Sequence, residues 1–111
     1  MYKKTLLIDL DGVLNQYDGS FDAKLIPAVK DGAKVFLENF YQQNYDIKIF
    51  TTRNKLLTAK WLIENDLDQF VLDITNVKEP AYLTIDDRCL CFNGNFKKTT
   101  EQINNFKAHW K

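Results

Sequence analysis

Thr5-Leu6-Leu7-Ile8-Asp9-Leu10-Asp11-Gly12 is the stretch on which the reading of the chain turns. From Thr5 to Leu10 it is almost unbroken apolar sequence, too short for a helix and without polar alternation. That is the pattern of a strand buried on both faces of a parallel sheet. Two carboxylates, Asp9 and Asp11, stand at its end with one residue between them. In an extended chain that spacing puts both on one side. Gly12 then allows a sharp turn.

Working outward, strand-like runs alternate with helical patterns. From Pro27 the apolar period changes: Val29, Ala33, Phe36, Leu37 and Phe40 recur at helical spacing, with Pro27 suited to a first turn. Ile47 to Phe50 reads as a second strand. Asn54 is the expected N-cap of a helix running to about Asn65, with Leu57, Trp61 and Leu62 on its inner face. Phe70 to Leu72 reads as a third strand and Tyr82 to Ile85 as a fourth. Cys89 to Phe92 reads as a short edge strand. Thr99 and Gln102 form a capping-box pattern before Ile103, Phe106 and Trp110 on one helical face. Strands alternating with helices predict an α/β sandwich with a mainly parallel sheet and right-handed crossovers. The segment from 13 to 26 fits neither period. It is long for a strand-to-helix connection, and such loops are often functional.

Composition bounds the answer. The 111 residues make one domain, long enough to bury roughly two-thirds of the unfolded surface without a disulfide or metal staple. Hydrophobic residues are 45% and charged residues 27%, which excludes a disordered, collagen-like or membrane-spanning chain. Fifteen basic residues balance fifteen acidic ones, so no global field draws the protein to nucleic acid or anionic lipid. The apolar run before Asp9 is too short for a secretory signal. Cys89 and Cys91, one residue apart, make a poor disulfide; they read as reduced, buried thiols, and the cytoplasm is the expected compartment. With His109 they are too few for a zinc site.

In a parallel α/β sheet, ligands bind outside the carboxyl ends of the strands. The polar residues gather there. Asp9 and Asp11 follow strand one; Thr51, Thr52 and Arg53 follow strand two; Asp86, Asp87 and Arg88 follow strand four; Lys78 comes shortly before it. Two carboxylates ~5 Å apart repel by about 3 kcal/mol at an effective dielectric near 20. Four converging carboxylates therefore call for a cation. An all-oxygen ligand set favours a hard ion, and Mg²⁺ suits a site that also takes phosphate. A bacterial receiver domain also has acidic residues after strand one, with Asp73 available as its phosphorylated residue. It would need its Thr and Lys after the later strands, whereas Thr51 and Lys78 both precede Asp86 and Asp87.

The ordered segments Ile8-Asp9-Leu10-Asp11-Gly12-Val13-Leu14, Ile49-Phe50-Thr51-Thr52-Arg53, Lys78 and Ile85-Asp86-Asp87-Arg88 resemble the haloacid dehalogenase superfamily of phosphotransferases over about residues 5–92. The resemblance implies a Rossmann-like three-layer α/β/α sandwich, a single core domain over 1–111 and a flap over about 13–26. It implies Asp9 as nucleophile, forming an aspartyl-phosphate, and Asp11 as general acid/base. Thr51 or Thr52 would bond a phosphoryl oxygen, and Lys78 would neutralise its charge. Mg²⁺ would be held by Asp9, Asp11 (or the Leu10–Asp11 backbone), Asp86 and Asp87. Asp11 argues against carbon–halogen cleavage, because members with that activity carry no Asp there. Neither interval between motifs has room for a cap domain. The implied protein is a small cap-less phosphatase with an open site, served by a large phosphorylated substrate or closed by a partner subunit such as a second copy.

Other readings stand beside these. Thr52, Arg53 and Arg88 are candidate contacts to a substrate phosphate, although pairing with nearby carboxylates is the plainer role for the two arginines. Tyr17 and Phe21 are flap anchors or stacking groups. Trp61 and Trp110 read as packing residues. The rival functions are an interaction module that keeps the fold without turnover, and a phosphatase for a nucleotide or polynucleotide end, which the zero net charge does not support.

Overall fold

The computed structural model describes residues 3–111. Strands β1 (Thr5–Asp9), β2 (Asp46–Phe50), β3 (Asp73–Thr75) and β4 (Leu83–Ile85) form one all-parallel sheet in the order β3-β2-β1-β4. Helix α1 (Ala33–Gln42) joins β1 to β2, α2 (Lys55–Glu64) joins β2 toward β3, and α3 (Phe96–Asn104) follows β4. This is the α/β, Rossmann-like arrangement expected from the sequence. Among the described residues, no helix is long and apolar enough to cross a membrane.

Alternation along the strands sorts the sheet into two faces. Leu6 pairs with Ile47 and Ile8 with Ile49 in register. All four join Leu37 of α1 and Trp61 and Leu62 of α2 in the main core. Leu7 and Lys48, also paired, point the other way. Lys48 forms a 3.1 Å ion pair with Glu79, in the connection that runs back from β3 to β4. That return places β4 beside β1, not beside β3, and it decides which motifs meet.

The second helix starts as its sequence predicts. Asn54 accepts a 3.0 Å hydrogen bond from the Leu57 amide, satisfying one of the unpaired donors of the first turn.

Four elements differ from expectation. Helix α1 begins at Ala33, behind Gly32 at φ 88°, and not near Pro27. Residues 28–30 are instead drawn into the flap: Gln16 donates to the Ala28 carbonyl and Lys30 to the Leu14 carbonyl, both at 2.8 Å, around an Asn15–Val29 bridge. The third strand lies at Asp73–Thr75, just past the apolar run that marked it. Phe70 ends a short 3₁₀ turn and is buried as a core plug, which is why the run is apolar without being the strand. Cys89 to Phe92 forms no strand, and both thiols are exposed instead of buried, because no further strand pairs beyond β4. Helix α3 begins at Phe96 behind an Asn95 cap, buries none of its residues and ends before Phe106 and Trp110.

Ile49 is fully buried between β1 and the helices. Ile49→Ala should cost about 2–5 kcal/mol, the range for truncating a packed core aliphatic. Urea unfolding would show a lowered midpoint with an unchanged slope; a loss below about 1 kcal/mol would contradict this core assignment.

Candidate active site at the carboxyl edge of the sheet

Register brings the motif residues together. Asp9 pairs with Phe50, so Thr51 leaves β2 beside it. Ile8 pairs with Ile85, so Asp86 and Asp87 leave β4 on its other flank. One carboxylate oxygen each from Asp9, Asp86 and Asp87 lies within 4.8 Å of the others. The side chains of Asp9, Asp11, Tyr17, Phe21, Thr51, Thr52, Asp86 and Arg88 line a cleft of about 190 Å³. Thr51 is buried at 4% exposure, and its Oγ1 accepts from the Arg53 amide at 3.1 Å, leaving the hydroxyl proton free to donate. Thr52 is exposed at the same rim.

The turn after β1 is built around Asn15, which is fully buried. Its Oδ1 accepts from the amides of Gly12 and Tyr17, each at 3.1 Å, and its Nδ2 donates to Asp11 at 3.0 Å. The sequence reading missed Asn15. Its signal was an Asn in a turn, a type that bonds nearby backbone. Gly12 is required twice over. Its φ is 84°, and a Cβ there would lie 2.7 Å from the Asp87 Cγ.

Asp11 does not stand with the other three carboxylates. The Arg53 guanidinium holds it, with Nε 2.9 Å from Oδ2 and Nη2 3.1 Å from Oδ1. The Arg53 side chain is only 1% exposed. Its Nη1 donates to the Asp22 carbonyl at 2.7 Å, and its guanidinium lies 4.5 Å from the Phe21 ring centre. Arg53 is thus the bolt between flap and Asp11, and Phe21 is its cover. Arg88 is exposed and lines the cleft. Lys78 is exposed in the β3–β4 connection and does not line the cleft.

Two further residues arrive from the far end of the chain. His109 Nε2 lies 2.6 Å from the Gly12 carbonyl, and Trp110 donates its indole N–H to Asp87 Oδ2. Trp110 had the look of a packing residue at helical spacing; its polar end is what matters.

Crowded negative charge sets the electrostatics. Burial first, then the hydrogen bond with Asp87 and the charges of Asp86, Asp87 and Asp11, push the Asp9 carboxyl up to about 8. Burial alone would raise Asp87 too, but hydrogen bonding, first of all from the Trp110 indole, outweighs it and holds Asp87 below the usual range. Asp87 Oδ1 is buried with no hydrogen-bond partner among the described residues. A buried, unpartnered oxygen on a carboxylate that has two more carboxylates within 4.8 Å fits a hard divalent cation. Asp9, Asp86 and Asp87 are the side chains that would hold it; Asp11, tied to Arg53, is outside that set.

Fold and site together define an α/β protein with an acidic cleft at a topological switch point of its sheet. No family model matches the chain, and no curated protein does. A solved structure of a conserved protein coded by a Bacteroides thetaiotaomicron locus is similar, with a TM-score of 0.64 and 18% identity over 96% of this chain and 94% of that one. At that identity the likeness is one of fold.

The raised Asp9 predicts a pH dependence for the metal-free protein. A carboxyl whose folded value lies above its unfolded one stabilises the fold below the unfolded value, 3.8, and loses that contribution as pH rises through about 8. Asp87 is shifted the other way, so its contribution changes only below the ordinary range. In EDTA, the stability of wild type relative to Asp9→Asn should therefore fall between pH 5 and pH 9. Thermal melts of the pair would test it, and a difference independent of pH would refute it.

Proposed function

We propose that this protein is a Mg²⁺-dependent phosphomonoester hydrolase that works through an aspartyl-phosphate on Asp9. The observation that carries the reading is the convergence of Asp9, Asp86 and Asp87, the last with a buried, unpartnered oxygen, beside a cleft that Asp9, Asp86 and Thr51 line. The order of motifs, resembling the haloacid dehalogenase superfamily, supports it independently.

The chain's own residues divide the work. Strand β1 holds the Asp9 carboxylate rigidly at its end, which suits an in-line nucleophile. In the first step an Asp9 oxygen bonds to phosphorus, the ester P–O bond breaks, and the leaving oxygen takes a proton from Asp11. In the second step a water oxygen bonds to phosphorus, Asp11 takes the water's proton, and the Asp9–phosphorus bond breaks to release inorganic phosphate. Thr51 donates to a non-bridging phosphoryl oxygen. Mg²⁺ held by Asp9, Asp86 and Asp87 would supply Lewis-acid neutralisation of the phosphoryl charge and would offset the burial and repulsion that raise Asp9. Arg88, which lines the cleft, takes the charge-neutralising part first ascribed to Lys78. Arg53 keeps Asp11 in place and must yield a hydrogen bond when Asp11 carries the proton.

A second reading has an observation of its own. The locking of Asp11 by both Arg53 and Asn15 favours a cation-binding module without turnover.

The purified chain should hydrolyse a generic aryl phosphate in millimolar Mg²⁺, and chelator or Asp9→Asn should reduce the rate at least about 10³-fold. Undiminished activity in Asp9→Asn would overturn the mechanism. Mg²⁺ binding with no turnover across a broad panel of phosphate esters would favour the second reading.

A further inference from the structure

We propose that segment 108–111 is a positioning strap for the acidic cluster, with Trp110 as the residue that orients Asp87 toward the cation. The proposal rests on the cation-site reading above and adds to it a role for residues outside the four motifs.

The strap is anchored at three points. Ala108 is buried at 7% exposure, His109 Nε2 meets the Gly12 carbonyl at 2.6 Å, and the Trp110 indole N–H donates to Asp87 Oδ2. The indole also occupies the space that two positive-φ glycines leave open. A Cβ on Gly12 would lie 2.9 Å from Trp110 Nε1, and one on Gly19 would lie 3.0 Å from its Cζ3. Tyr17 packs against the same ring edge-on, with centroids 5.2 Å apart. One side chain therefore touches the turn after β1, the flap and the carboxylate that follows β4.

The chemistry of the donor is what makes this more than packing. A carboxylate has two equivalent oxygens and can rotate. Pinning Oδ2 removes that freedom and leaves Oδ1, the buried oxygen without a partner, as the one free to take a cation. An indole N–H is neutral, so it orients the carboxylate without cancelling the charge a cation needs. A Lys or Arg in its place would compete with the ion. Partners of this kind typically change metal affinity 10–100-fold.

The test uses the full chain. Mg²⁺ binding is measured by calorimetry in wild type, Trp110→Phe and Trp110→His, with unfolding midpoints taken in EDTA. Trp110→Phe keeps a ring and loses the donor, and its Mg²⁺ affinity should fall about 10-fold. Trp110→His, which restores an N–H, should recover part of it. A separate measurement keeps Trp110: in Trp61→Phe, the remaining indole's emission should change on adding Mg²⁺, and it stays informative even if Trp110→Phe does not fold. Wild-type affinity in a folded Trp110→Phe, or unchanged Trp110 emission in a chain that binds Mg²⁺ calorimetrically, would overturn the strap and leave the cation site standing. Absence of Mg²⁺ binding by wild type would overturn both.

Discussion

Three carboxylates at the ends of adjacent strands repel one another, and much of the local structure is arranged around that repulsion. At 4.8 Å or less between oxygens, each pair costs about 3 kcal/mol at an effective dielectric near 20. Burial and the neighbouring charges push the Asp9 carboxyl up to about 8, and Asp87 is bonded to Trp110. A divalent ion bound as proposed would offset the first effect and use the second. The cluster exists because β1 lies between β2 and β4. Had the chain returned to pair β4 with β3, two strands would separate Asp86 and Asp87 from Asp9.

The fourth acidic residue shows how one spacing can serve two neighbourhoods. Asp9 and Asp11 leave β1 together, but the turn at Gly12 carries Asp11 toward the flap, where Asn15 and Arg53 hold it. Arg53 is buried, yet its charge is compensated by Asp11, its Nη1 reaches the Asp22 carbonyl, and the Phe21 ring covers it. The flap is thereby ordered by the site it covers. Its length follows from that: it must reach over Arg53 and return to bridge Val29 before α1 can start.

Legibility followed the range of the interactions. The Asn54 cap acts over three residues and was read correctly from sequence. The apolar strand β1 and the motif order were likewise visible, because a buried strand and its polar end are adjacent in the chain. Phe70 misled because an apolar residue at the start of a strand-like run carries no sign of whether it pairs or plugs the core. The placement of Lys78 outside the cleft lining was not legible, because it depends on the path of the β3–β4 connection, which the Lys48–Glu79 pair helps to hold. The thiols misled because their burial needed a strand that has no partner.

The sequence by itself determined the class of sheet, the strand that anchors it and the acidic residues at its edge, since each depends on neighbours a few positions away. Tertiary structure alone decided which carboxylates share a space, which one Arg53 withdraws, and that His109 and Trp110 return to Gly12 and Asp87. Those outcomes depend on strand order and on contacts between residues as many as 97 positions apart, for which local pattern holds no information.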